Sequence, residues 1–199
     1  RSGKPGRYTL QQHVDDVRAL LDLLGIERAD VAGTSYGGEI GMLFAIAHPE
    51  RVRRLVVIAC VSEADEALRR TVGRWIDVAR RDPDQLYDVT VHDNFSEAFL
   101  TPQFIELGRE RLRAYPPEWF EAFAELCEAA LTLLVDLAKI AASTLVVCGA
   151  EDALKPVAHS RKIAAAIPDA QLLVILGAGH AAVIEKPADV CAAIEEFLE

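Results

Sequence analysis

Ser35 stands in the run Gly33-Thr34-Ser35-Tyr36-Gly37, a G-x-S-x-G pattern that works only as a sharp strand-to-helix turn lifting the serine above a sheet. Glycines on either side let neighbouring backbone approach closely. A serine hydroxyl is a poor nucleophile at neutral pH, so it needs an adjacent base, and the base needs a carboxylate to hold its tautomer. Two later stretches supply those residue types. Gly149-Ala150-Glu151-Asp152 carries two adjacent carboxylates, and Gly177-Ala178-Gly179-His180 carries an imidazole. Together they point to acyl transfer through a serine, with either acid open as the orienting group.

The elements that must position them are legible as patterns. Ala29 to Thr34 reads as a short apolar strand, and Ile40, Leu43, Phe44 and Ala47 then take helical spacing up to His48-Pro49. Arg54 to Val61, Thr144 to Cys148 and Leu172 to Leu176 are continuous apolar runs of the kind buried on both faces of a parallel sheet. Helical spacing also marks Thr9 to Leu24, Ala158 to Ile167 and Ala188 to Leu198. Thr9 and Gln12 suit the start of the first of these, and Gly25 its end. Alternation of this kind predicts an α/β fold with a mostly parallel sheet and helices on both faces. The two acidic residues and the histidine then fall on loops at the C-terminal ends of strands, where sites in open parallel sheets lie.

Residues 62–143 break the rhythm. This stretch has no comparable strand, holds Trp75 and Trp119 with five of the seven phenylalanines, and is punctuated at Pro83, Pro102 and Pro116-Pro117. It reads as a helical insertion, so the core comprises 1–61 and 144–199. Its helices would roof a pocket. Trp119 and Phe120 are the expected substrate contacts, with Trp75 and Phe123 as further candidates, and Arg69, Arg74 and Arg109 could hold a substrate carboxylate.

The chain has 199 residues, 51% hydrophobic, enough for one good-sized core. A net charge of −10, with basic residues single or paired, gives no basic stripe for nucleic acid or an anionic membrane, so a small molecule is the expected partner. Cys60, Cys127, Cys148 and Cys191 lie far apart without a C-x-x-C, which suits a reducing cytoplasm.

In the motifs G-T-S-Y-G-G, A-H-P-E-R-V, G-A-E-D and G-H-A-A-V-I-E-K-P, the chain resembles α/β-hydrolase-fold serine hydrolases with a helical cap, of the 3-oxoadipate enol-lactonase and carboxylesterase kind. The resemblance implies Ser35 as nucleophile, His180 as general base and Asp152, fourth in its turn, rather than Glu151, as orienting acid. It implies Tyr36 as a backbone oxyanion donor, Glu185 as part of a structural turn, and no cofactor or metal. His13, His48, His92 and His159 fall outside the pattern. The implied activity is hydrolysis of a small carboxylic ester or lactone. Carbon–carbon hydrolysis or haloperoxidase chemistry would use the same triad, and a catalytically weak ligand- or partner-binding protein is a further reading.

In such hydrolases further strands and an H-G loop carrying the second oxyanion donor come before the segment that Arg1-Ser2-Gly3-Lys4-Pro5 resembles. The expectation is therefore a chain lacking its N-terminal strands, with Ala29–Thr34 left as an exposed apolar edge. A homo-oligomer or a complementing N-terminal segment would cover that edge.

Overall fold

A computed structural model describes residues 8–199, so the reading of Arg1–Pro5 lies outside the described residues. Four strands, β1 (Ala29–Thr34), β2 (Val52–Ile58), β3 (Ser143–Gly149) and β4 (Ala170–Ile175), form one sheet in the order β1-β2-β3-β4. Every pairing is parallel. The register sets Thr34 beside Ile58 and Ile58 beside Val147, so the C-terminal ends of the strands lie in one row.

The unbroken apolar run of β2 follows from its place between two cores. Leu55 and Val57 face one cluster, with Phe44, Met42 and Ile163, while Val56 and Ile58 face the other, with Leu145, Val147 and Val190. The strand stops at Ile58, earlier than the apolar run suggests, because Ala59 takes φ 55 and turns the chain. Likewise β4 ends at Ile175, and Leu176, expected inside it, is exposed.

Helix α1 (Leu10–Leu23) begins where the Thr9 side chain accepts from the Gln12 N–H at 3.1 Å, and beyond its end Gly25 adopts φ 66. It packs on α2 (Tyr36–Ala47), which lies against β1 and β2.

Between β2 and β3 the chain is helical. It forms α3 (Glu66–Arg81), α4 (Leu86–Asn94), α5 (Pro102–Arg113) and α6 (Pro117–Ala130). Pro102 and Pro117 occupy first-turn positions, where a missing N–H costs nothing. The two ends of this insertion meet, as the Val135 N–H donates to the Ser62 carbonyl at 2.8 Å.

After β3 come α7 (Val157–Ala166), then β4, the single turn α8 (Ala182–Glu185) and α9 (Pro187–Leu198). Helix α7 packs on β3 and β4, while α8 and α9 cover the second core. Among the described residues no helix is long and apolar enough to cross a membrane.

Candidate active site

The turn after β1 is strained. Ser35 has φ 52 and ψ −120, a region few non-glycine residues enter, and it persists because its surroundings over-determine it. The Ser35 N–H donates to the Ile58 carbonyl at 2.7 Å, and the Ser35 carbonyl accepts from the Glu39 N–H at 3.0 Å. Gly33 and Gly38 are sterically required, whereas a Cβ on Gly37 would meet nothing within 4 Å. A Cβ on Gly33 would lie 2.4 Å from the Gly37 carbonyl carbon, and one on Gly38 would lie 2.6 Å from the Gly33 carbonyl oxygen. The turn therefore aims the Ser35 hydroxyl outward from the strand row.

His180 arrives on the loop after β4 and Asp152 on the loop after β3. The Ser35 Oγ lies 2.9 Å from His180 Nε2, and His180 Nδ1 lies 2.9 Å from Asp152 Oδ2. A carboxylate only accepts, so Nδ1 carries the proton, and Nε2 is left with a lone pair facing the serine. His180 and Asp152 are 5% and 4% exposed, so the bond between them is shielded from solvent, while Ser35 is only half-buried. Glu151, the rival acid, is exposed. Tyr36 is the first residue of α2, which frees its N–H from the helix ladder beside Ser35. Such an arrangement can pass a proton from a hydroxyl to an imidazole and back.

The Tyr36 phenol instead points to α1, its oxygen 2.9 Å from His13 Nδ1. Burial, with the nearby Glu39 carboxylate adding to it, pushes this phenol up to about 12, so it stays protonated at neutral pH. The other histidines lie elsewhere: His48 against the Phe44 ring, His92 with Glu97, and His159 with Asp65.

A cavity of ≈ 250 Å³ opens beside Ser35, lined by helices α2, α3 and α6. Leu68, Val72 and Trp75 reach it from α3, and Phe123, Cys127 and Ala130 from α6. Both triplets follow helical spacing and mark the inner face of each helix. Trp119 and Phe120, expected at the substrate, are not among the cavity-lining residues. They lie one turn nearer the start of α6. Trp119 stacks on Tyr115 with ring centroids 4.5 Å apart, and Phe120 is buried in the core.

The expected carboxylate-binding arginines are also engaged elsewhere. Arg74 binds Asp93 at 3.0 Å, Arg109 binds Asp88 at 2.7 Å, and Arg69 donates to the Ala64 carbonyl at 3.1 Å. The cation that does line the cavity is Lys155. Its Nζ lies 3.0 Å from Ser35 Oγ and 2.5 Å from Glu39 Oε1. Sequence reasoning passed over both residues. Their signal was Glu39 itself, the one charge in the otherwise apolar Tyr36–Ala47 helix, because a buried carboxylate needs a buried partner.

With this fold and this geometry in place, the sequence matches the alpha/beta hydrolase family over residues 2–194, and the chain belongs to that family. It is 32% identical to the 2-hydroxymuconate semialdehyde hydrolase of Pseudomonas sp. strain CF600, over 96% of this chain and 69% of that protein. The crystal structure of MGS-M2, an alpha/beta hydrolase enzyme from a Medee basin deep-sea metagenome library, superposes with a TM-score of 0.93 at 27% identity, covering 99% of this chain and 74% of that one. The enol-lactonase from Burkholderia xenovorans LB400 superposes at 0.87 with 25% identity, covering 99% and 75%.

Proposed function

We propose that this hydrolase cleaves small, uncharged carboxylic esters or lactones through an acyl-enzyme on Ser35. The observation that carries the reading is the hydrogen-bonded chain Ser35–His180–Asp152, with 2.9 Å at each link. Ser35 Oγ attacks the carbonyl carbon while its proton passes to His180 Nε2, and the Asp152 carboxylate stabilises the imidazolium. The Tyr36 N–H, at the positive end of α2, would donate to the oxygen on which charge develops. His180 then protonates the departing alcohol oxygen and activates the water that cleaves the acyl-enzyme.

The cavity supports an uncharged acyl group. Its walls are apolar side chains, and its one ammonium is compensated by Glu39. A substrate carboxylate would find no free cation among the lining residues.

The relative named as a 2-hydroxymuconate semialdehyde hydrolase supports a second reading, carbon–carbon bond hydrolysis by the same three residues. The test is incubation of the chain with a fluorophosphonate, mass mapping of the adduct, and turnover of p-nitrophenyl acetate and butyrate. One adduct on Ser35, with ester turnover lost in Ser35→Ala, is the expected result. No adduct with no turnover would overturn the reading in favour of a binding role. An adduct without turnover of either ester would favour the carbon–carbon reading.

A further inference from the structure

The Lys155–Glu39 pair is not needed for the proton path just described, and burying it strips two charges of water, which is unfavourable without strong compensation. Their side chains are only 7% and 2% exposed. The pair is also built into the nucleophile's own surroundings. Glu39 lies one helical turn beyond Ser35 on α2, where its N–H holds the Ser35 carbonyl. Lys155 gives its backbone N–H to Asp152 Oδ1 at 2.7 Å, while its side chain reaches Ser35 Oγ at 3.0 Å. One residue therefore touches both ends of the Ser35–His180–Asp152 chain.

The sense of these contacts follows from donor chemistry. An ammonium has no lone pair, so Lys155 Nζ donates to both Glu39 Oε1 and Ser35 Oγ. Ser35 then has its single proton for His180 Nε2. One neighbour withdraws the proton of Oγ, and the other presents positive charge to the oxygen it leaves behind. As the proton moves, the Lys155 hydrogen bond changes from one with a neutral acceptor to one charged at both ends. In an apolar cavity it is weakly screened.

We infer that Lys155 is a fourth catalytic residue, whose ammonium, positioned by Glu39, stabilises Ser35 Oγ whenever that oxygen carries negative charge. The inference rests on Ser35 being the nucleophile. In the first half-reaction the Oγ–H bond breaks, its proton goes to His180, and the Oγ–carbon bond forms. The bond from that carbon to the alcohol oxygen then breaks, and His180 gives its proton to the departing oxygen, which leaves the imidazole neutral. In the second, water gives its proton to His180 and its oxygen bonds to carbon. The carbon–Oγ bond then breaks, its electron pair returns to Oγ, and His180 returns the proton. Lys155 keeps all three of its protons throughout. The Glu39 carboxylate is a positioning group that also keeps the cavity neutral.

The test compares Lys155→Gln, Lys155→Arg and the double variant Lys155→Met with Glu39→Gln against the unsubstituted chain. Each is measured by fluorophosphonate labelling rate, the p-nitrophenyl butyrate burst and steady-state turnover, with circular dichroism and Tm to verify folding. The double variant should lose about 10²-fold in both burst rate and kcat, the scale of removing a donor from a developing oxyanion. KM should stay within about threefold, because the contact strengthens only as charge develops. Lys155→Gln should fall between the two, and Lys155→Arg should recover about tenfold of the loss because charge is restored near Oγ.

A folded double variant with an unchanged burst rate overturns the inference. If the double variant does not fold, Lys155→Gln decides, since its amide can still donate to Glu39. Unchanged labelling and kcat in that variant would make the pair a packing feature alone. An unsubstituted chain that fails to label overturns the hydrolase reading itself, and this inference with it.

Discussion

Asp152 Oδ2 accepts from His180 Nδ1 at 2.9 Å, while the other carboxylate oxygen is held by the Lys155 N–H at 2.7 Å. With both oxygens committed, the carboxylate cannot rotate away from the imidazole without losing a buried hydrogen bond. Asp152→Asn exposes the consequence. Its amide oxygen must keep the Lys155 N–H, which turns the amide nitrogen, a donor, toward His180 Nδ1. The imidazole is then driven to carry its proton on Nε2, where it cannot accept from Ser35. Turnover of p-nitrophenyl butyrate should fall about 10⁴-fold with little change in Tm. A loss below about tenfold would show that Asp152 does not set the tautomer.

The cavity walls give a paired expectation. Phe123 lines the cavity, whereas Phe120, three residues earlier, is buried in the core. Phe123→Ala should enlarge the acyl site, shifting preference toward longer p-nitrophenyl esters with a modest fall in Tm. Phe120→Ala should instead cost about 3–5 kcal/mol of stability and leave chain-length preference unchanged. Equal effects of the two on chain-length preference would contradict this division.

The same pair marks where the sequence stops being legible. Strand runs with a serine, an acid and a histidine just beyond their ends are local patterns, and the parallel register alone is enough to bring those loops together. Helix phase is not local in this way. Trp119, Phe120 and Phe123 satisfy helical spacing equally well, and only the docking of α6 on α3 decides that the Phe123, Cys127 and Ala130 face looks inward. Lys155 and Glu39 were harder still. They are 116 positions apart, and each alone reads as a loop lysine and a first-turn glutamate.

Thiol chemistry should separate the four cysteines. Burial, reinforced by the Glu128 charge, pushes the Cys127 thiol up to about 12, and burial also raises Cys60 and Cys148. Cys191 is exposed. Iodoacetamide near neutral pH should therefore alkylate Cys191 first and leave Cys127 intact, although Cys127 lines the cavity. The sign for stability follows from the same shifts. These thiols hold their protons more tightly in the folded chain, so their contribution is complete below the unfolded value of about 8.5 and is lost as pH rises through the folded values. Tm should decline on the alkaline side. Modification of Cys127 as fast as Cys191, checked by peptide mass mapping, would refute the assignment.

Glu185, read from the sequence as a structural turn residue, ties the histidine loop to the helical insertion. Its Oε1 accepts from the Gly179 N–H at 2.9 Å and the Ser96 N–H at 3.3 Å, and the Ser96 hydroxyl donates to its Oε2. On the other side of His180, the Ala181 N–H donates to the Asn94 carbonyl at 2.8 Å. Both flanks of His180 are thereby fixed to the segment ending α4, so a displacement of that segment moves the imidazole relative to Ser35. Glu185→Ala leaves the Gly179 and Ser96 N–H groups without this acceptor, at a cost of about 1–3 kcal/mol. The expected result is a lower Tm together with a fall in kcat larger than any change in KM, since the substrate cavity itself is untouched. Glu185→Gln, whose amide oxygen can still accept from Gly179, should recover part of both losses. An Ala variant with unchanged Tm and kcat would mean that the insertion does not position His180.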